Sequence, residues 1–163
     1  MTPFGKSSPC WVVMGALGAS SGACGNPIAA SIQPIYQSLS ASVESGSLQT
    51  SVEAVNPESR PITFEIRDPC GATIRLYTEG GSLLVWDQLV WLNNRPGGCK
   101  AVPRPITLGS RATRTLIATA SLTDILGDSL ASGTYQVRTV IWQGAPVPGL
   151  IEVIAPGLVV LIR

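Results

Sequence analysis

The cysteines are the residues of this sequence whose chemistry is easiest to assign. Two of them, Cys70 and Cys99, follow the first 24 residues, and each stands in a predicted turn. In an oxidising compartment they would form a disulfide that closes a loop of about thirty residues. A pair of free thiols is the alternative. Two thiolates without histidine are too few ligands for a zinc site, so we expect a disulfide and no metal.

The chain contains no histidine, and this excludes several kinds of catalysis. Ser-His-Asp and Cys-His schemes need an imidazole, and so does the commonest general base. No serine or threonine stands in a motif with an activating lysine. Four aspartates stand in predicted turns: Asp68, Asp87, Asp124 and Asp128. Their spacing is not that of a calcium loop, and a turn aspartate commonly bonds its own backbone. We expect no enzymatic activity and no cofactor.

Three tryptophans are the candidate partner-binding residues: Trp86, Trp91 and Trp142. Exposed tryptophans often dominate the energetics of protein interfaces. The alternative for each of them is a place in the core. Trp142 stands in the polar register of its predicted strand, which makes it the strongest contact candidate.

Residues 1–24 resemble a bacterial export signal. Lys6 supplies the positive charge, and an apolar run over residues 11–19 follows it. Ser21-Gly-Ala-Cys24 resembles a lipobox, in which the chain is cut before a cysteine that is then lipidated. This predicts lipidation at Cys24 and a place on the periplasmic face of a membrane in the bacterial cell envelope. An ordinary cleaved signal and an uncleaved anchor stay open as alternatives, although a span needs roughly 20 apolar residues.

The composition favours a domain that sits against a partner. Of the 163 residues, 45 % are apolar and only 13 % are charged, with a net charge of +1. Apolar residues are numerous enough to form a core, and charge is sparse for a soluble surface. The sequence has no cluster of lysine and arginine of the kind that binds nucleic acid or anionic lipid.

Alternating side chains are the main signal of secondary structure. In 61–70, Ile62, Phe64 and Ile66 alternate with polar residues, so one face of a strand is apolar. Further strands are predicted at 39–44, 48–55, 73–78, 105–108, 111–122, 134–142, 150–154 and 157–162. With turn signals between them, they predict an all-β, immunoglobulin-like two-sheet sandwich of about 7–9 strands over 39–163. Residues 25–38 are interpreted as a tether.

The segment 83–92 is the most apolar run and the most ambiguous one. Trp86, Leu89 and Val90 would share one face of a helix, but we interpret the segment as a strand that kinks near Asp87, and we predict no helix after the leader. Residues 93–104 form a predicted loop that carries Cys99. In the polar turn 124–133, Ile125 and Leu126 are expected to point inward.

The region 60–142 resembles a known family. It reads Arg-Pro-Ile-Thr-Phe-Glu-Ile-Arg-Asp, then Cys-Gly, Ile-Arg-Leu-Tyr, Val-Trp, Ile-Thr-Leu-Gly, Arg-Thr-Leu and Ser-Gly-Thr-Tyr-Gln-Val. This order resembles the BsuPI-type intracellular proteinase inhibitor domain over about half of the chain. The resemblance implies an immunoglobulin-like fold and an inhibitory activity. For the latter, the loop 93–104, braced at Cys99, would enter a protease cleft.

The expected function is binding without catalysis. We expect an envelope scaffolding protein that is attached to the membrane and docks, as an accessory subunit, onto a larger membrane protein complex. The alternative is a proteinase inhibitor of the BsuPI type.

Overall fold

The structure is a computed structural model that describes residues 33–127 and 130–162. The strands in these residues are β1 Ile35–Glu44, β2 Ser47–Val55, β3 Ile62–Asp68, β4 Ala72–Thr78, β5 Leu84–Asp87, β6 Val102–Leu108, β7 Thr113–Ser121, β8 Gly133–Gln143 and β9 Gly149–Leu161. Two six-residue helices interrupt them, α1 Gln88–Asn93 and α2 Leu122–Gly127.

The strands form two antiparallel sheets. The first has three strands in the order β1-β2-β7. The second has six, in the order β5-β4-β8-β3-β6, with β9 paired along β8. Side chains of both sheets meet in shared apolar clusters. The predicted all-β sandwich is therefore confirmed.

A two-residue turn sets the register of the first sheet. Ser45 (φ 48°) and Gly46 (φ 76°) both lie in the left-handed region, as in the turn that best fits the twist of a hairpin. Four residues of β2 that share one side of the strand all have an exposed fraction of 0 %: Leu48, Thr50, Val52 and Ala54.

The alternating face of β3 lies in the core, as its sequence pattern predicts. Ile62, Phe64 and Ile66 are 6 %, 1 % and 9 % exposed. They pack with Leu116 of β7 and Ile141 of β8, which belong to different sheets. The apolar face of β3 thus joins the two layers.

Tyr135 stabilises the start of β8. Its hydroxyl donates a hydrogen bond to the carbonyl oxygen of Ala131, at 2.6 Å. A tyrosine at this place that bonds the backbone a few residues upstream is a hallmark of immunoglobulin-like sandwiches. The loop before β8 is therefore held to the strand that follows it.

The prediction that no helix follows the leader is wrong, because α1 and α2 are both present. At α1 the chain leaves β5 at Asp87, whose carboxylate accepts hydrogen bonds from the amides of Leu89 (2.8 Å) and Val90 (3.2 Å). An aspartate in this position caps a helix and ends a strand at the same residue. The predicted kink at Asp87 is therefore the start of a helix. At α2, Ile125 and Leu126 are buried, as predicted.

Several strand limits also differ from the predictions. β1 begins at Ile35, inside the segment interpreted as a tether. β6 begins at Val102, inside the predicted loop, and it accommodates Pro103 and Pro105 because one of its edges has no described partner. β9 is one strand and not two, with an irregularity around Gly157.

The predicted leader, the lipidation at Cys24 and most of the predicted tether lie outside the described residues, as does Asp128. Within the part of the chain that is described, no helix has the length and apolar content to cross a membrane.

Candidate interaction surface

Trp86 is a core residue, so its prediction as a partner contact is wrong. Its side chain is 5 % exposed, and it packs in the same apolar cluster as Leu76 and Val137. Its strand is paired so that Trp86 stands opposite Leu76, which also points inward. The pairing of β5 with β4 thus places this indole between the sheets.

Trp91 is partly buried beside Trp86 on α1. The centroids of the two rings are 6.4 Å apart. The guanidinium carbon of Arg95 lies 3.6 Å from the centroid of the Trp91 ring, so a cation covers this indole. Arg95 also approaches Asp124 to 3.8 Å. Trp86 and Arg95 of the same chain therefore cover part of the Trp91 ring, which leaves less of it open to a partner.

Trp142 lies apart from the other two tryptophans. It is five residues along β8 from Val137, about 17 Å at the rise of an antiparallel strand. It stands opposite Leu150 of β9, and the guanidinium carbon of Arg67 lies 5.3 Å from its ring centroid. The structure does not bring the three tryptophans into one patch. It leaves Trp142, partly buried, on the outward side of the six-stranded sheet.

Strand β9 presents an aliphatic row on that same side. Its members are 45–58 % exposed: Leu150, Ile154, Leu158 and Val160. They stand opposite four of the outward residues of β8, which are Trp142, Arg138, Gln136 and Thr134 in that order. We call this side of the six-stranded sheet the outer face, and these four residues the β9 row.

An ionic network lies beside the β9 row. Arg75 of β4 donates to Asp87 through Nε, at 2.7 Å, and to Glu152 of β9. Arg138 of β8 donates to the other carboxylate oxygen of Glu152, at 2.9 Å. The four side chains are 7–25 % exposed and their formal charges cancel. The network therefore ties β4, β5, β8 and β9 together without a net charge on the outer face.

Tyr77 completes the network. Its hydroxyl lies 3.0 Å and 3.1 Å from the two oxygens of Glu152, and Arg138 stacks on its ring at 3.9 Å. Burial alone would raise the pKa of Glu152, but the hydrogen bonds from Arg138, Arg75 and Tyr77 outweigh it and hold that pKa below its ordinary value. Burial raises the pKa of Tyr77, and its bond to Glu152 raises it further.

The network's groups are engaged with one another. Each carboxylate is bonded to a guanidinium, and each guanidinium to a carboxylate. In the described residues no three histidine, cysteine or acidic side chains lie close enough to hold a metal ion. What the outer face offers is a paired polar centre beside an exposed aliphatic row. Interfaces combine apolar and polar surface in this way.

The network was not predicted from the sequence, although a signal was present. Arg75, Tyr77 and Arg138 all stand in the polar register of predicted strands, whereas Glu152 shares the side of its predicted strand with Leu150 and Ile154. Their sign pattern would have suggested ion pairs across neighbouring strands. The pattern of alternation does not show which strands are neighbours in the sheet.

A second candidate site is the loop held by the disulfide. The structure joins Cys70 and Cys99, with their Cα atoms 6.3 Å apart. The amide of Cys99 donates to the side chain of Asn93 (3.0 Å), and the amide of Gly98 to the carbonyl of Arg95 (3.0 Å). Residues 93–98 are exposed. An exposed loop is thus fixed at both ends.

No protein-family model matches the sequence, and no curated protein matches it either. The likeness to the BsuPI-type inhibitor domain stays a prediction based on the motifs in residues 60–142. Any functional conclusion therefore depends on the fold and on the geometry of the outer face and the braced loop.

Proposed function

We propose that this protein is a non-enzymatic binding subunit that docks onto a larger membrane protein complex through its outer face. Its place would be the periplasmic side of a bacterial membrane, to which the lipidated or anchored amino end would attach it. The partner is a protein, and neither a cofactor nor nucleic acid takes part.

The β9 row is the observation that carries this proposal. Four large aliphatic side chains, each about half exposed, follow one strand and face away from the core. Trp142 extends the row at the end where it stands opposite Leu150. An exposed apolar band with polar groups beside it is typical of a surface that another protein covers.

The ionic network supports binding over catalysis. The carboxylate of Glu152 is held by Arg75 and Arg138, and these bonds lower its pKa and keep it ionised and occupied. A general acid or base needs the opposite environment, one that moves its pKa towards neutrality. The network instead makes the outer face rigid, which reduces the entropy lost when a partner binds.

The test is recovery of the full chain from its native membrane after mild solubilisation, followed by mass spectrometry of its companions and of its amino terminus. We expect a defined membrane complex to accompany the natural chain. Ile154→Lys, which places a charge in the middle of the β9 row, should reduce that recovery at least tenfold. The side chain of Ile154 is exposed, so the fold should tolerate the change.

Val102→Lys is the matched control, because Val102 is an equally exposed aliphatic residue on β6. It should leave the companions unchanged. Equal recovery of the complex by the two variants would contradict docking through the outer face. An amino terminus that is neither cut before Cys24 nor retained as an anchor would contradict the proposed attachment.

A second candidate function is inhibition of a protease, and the braced loop favours it. Inhibitory loops are exposed and held rigid, and the loop from Asn93 to Cys99 has both properties. Stoichiometric inhibition of a serine protease by the oxidised protein, lost after reduction of the disulfide, would support it. Absence of inhibition across serine proteases of different specificity would remove this candidate.

A further inference from the structure

The exposed edges of the sheets are protected, with one exception. Among the described residues, five strands pair with a single neighbour: β1, β5, β6, β7 and β9. Prolines and irregularities block β6 (Pro103, Pro105) and β9 (Pro156, Gly157). β1 has a register shift between Ser38 and Ser40, and β5 has only four residues. Such devices prevent strands from pairing with other chains.

Strand β7 has none of these devices, although the side chain of Gln88 bonds to its free edge at the carbonyl oxygen of Thr119. It is nine residues long, contains no proline, and pairs with β2 in unbroken register. Its one charged residue, Arg114, stands near its start. A long regular edge without charge along most of its length is a template for another strand.

The backbone groups on the free edge of β7 can be identified. Just before the strand, the carbonyl of Ala112 accepts from the amide of Asn56 (2.9 Å), and just after it the amide of Leu122 donates to Gly46 (2.9 Å). Even-numbered residues therefore bond towards β2, and the alternation of an antiparallel pair turns odd-numbered residues outwards. The backbone groups of Thr115 and Ile117 accordingly point to the free edge.

The sequence of β7 is complementary to itself in an antiparallel pair of two copies that is centred on Ile117. On its exposed side, Thr113 would face Ser121 and Thr115 would face Thr119, while Ile117 would face its own copy. Cross-strand pairs of hydroxyl residues and of β-branched apolar residues are favourable. On the other side, Leu116 would face Ala118, a large residue against a small one.

No like charges meet in this arrangement. Arg114 would face Ala120, and the strand has no other ionisable side chain. Ile117, which is 56 % exposed, would lose its contact with water. A two-fold interface needs a patch that is complementary to itself, and β7 satisfies that condition.

We propose that β7 pairs antiparallel with β7 of a second copy of this chain, about a two-fold axis at Ile117. The two three-stranded sheets then form one six-stranded sheet across the dimer. Gln88 donates to the carbonyl of Thr119 at 2.8 Å, and that oxygen has a second lone pair for the incoming strand. This interface belongs to the smaller sheet and is independent of the outer face.

Sedimentation velocity of the full chain in a mild detergent tests the proposal. The natural chain should show a dimer that dissociates on dilution. Ile117→Lys, which brings two charges together on the axis, should reduce the dimer fraction at least tenfold at the same protein concentration. Val102→Lys, on the proline-protected edge of β6, should leave the dimer fraction unchanged. Equal dimer fractions for Ile117→Lys and the natural chain would overturn the proposal.

Cross-linking locates the contact. On the axis, the two Cα atoms at position 117 would be about 5.5 Å apart, within the range that a disulfide bridges. Ile117→Cys should therefore form covalent dimers under mild oxidation, at least tenfold faster than Thr107→Cys, whose exposed position lies on β6. Equal rates for the two variants would exclude this pairing, and a natural chain that stays monomeric would do so as well.

Discussion

The hydroxyl of Thr139 on β8 donates a hydrogen bond to the hydroxyl of Thr50 on β2, at 2.8 Å. The two residues belong to different sheets, and both are 0 % exposed. This bond is a buried polar contact between the two layers of the sandwich. Because neither hydroxyl can reach water, each depends on the other for a partner.

The bond between Thr139 and Thr50 can be measured with a double-mutant cycle. Thr50→Val leaves a buried donor on Thr139 unpaired and should cost about 1–3 kcal/mol of the free energy of unfolding. Thr139→Val should cost a similar amount. The double variant replaces both hydroxyls with methyl groups of the same shape, so we expect it to be more stable than the sum of the two losses predicts. Urea unfolding of the four proteins measures this, and additive losses would show that the two hydroxyls do not interact.

The disulfide should contribute a large part of the stability. On the chain-entropy account, a loop of about thirty residues corresponds to about 3–4 kcal/mol at 25 °C. Cys99→Ser, or reduction of the natural chain, should lower the free energy of unfolding by that amount in guanidinium titrations. Reductant should leave the stability of Cys99→Ser unchanged. A natural chain that keeps its stability after full reduction would contradict the expectation.

The ionic network predicts a dependence of stability on pH. Glu152 has a pKa below its ordinary value in the folded protein, through its bonds to Arg138, Arg75 and Tyr77, which overcome the effect of burial. A depressed carboxyl pKa adds stability above the unfolded value of about 4.3, and this contribution is lost as pH falls through the folded pKa. Glu152→Gln should therefore be less stable than the natural protein at pH 7.

The difference between the natural protein and Glu152→Gln should shrink as the pH falls below about 4.3, where the carboxyl of the unfolded chain takes up its proton. Urea titrations between pH 3 and pH 7 measure it. Glu58→Gln is a matched control, since Glu58 makes no ion pair in the described residues. If the free energies of unfolding of the natural protein and of Glu152→Gln differed by the same amount at every pH in that range, the network would not be the source of the effect.

The tryptophans should separate into core and surface residues when they are truncated. Trp86→Ala removes a 5 % exposed indole from between the sheets and should cost about 3–5 kcal/mol. Trp142→Ala removes a partly buried ring and its contact with Arg67, so about 1 kcal/mol is expected. Thermal unfolding of both variants measures the contrast. A smaller loss for Trp86→Ala than for Trp142→Ala would reverse their assignment.

Most of the fold could be predicted from local patterns. The alternation in β2, β3 and β8 identifies their buried faces correctly, because side chains of a strand alternate whatever its neighbours are. The turn at Ser45-Gly46 falls between the predicted strands 39–44 and 48–55, and its glycine fits backbone angles that few other residues tolerate. The helix at α1 was missed because six residues are too few for the helical period to be told from a strand in a short apolar run.

The candidate surface could be predicted only in part. Trp142 was correctly placed on the outward register of β8, because register follows from alternation alone. Trp86 was misplaced, since its side of β5 depends on pairing with β4. The β9 row and the network of Arg75, Arg138 and Glu152 became visible only when β4, β8 and β9 were seen side by side.

Local spacing thus set the strands and their buried faces, since both follow from neighbours along the chain, and the absence of histidine set the lack of imidazole chemistry. Tertiary pairing alone brought Arg75 within reach of Glu152, which is 77 positions away, and left β7 at the edge of its sheet, paired with β2 only. The physical reason is that a strand carries the same alternation whichever strand it pairs with. Its partners are selected by the packing of the whole core.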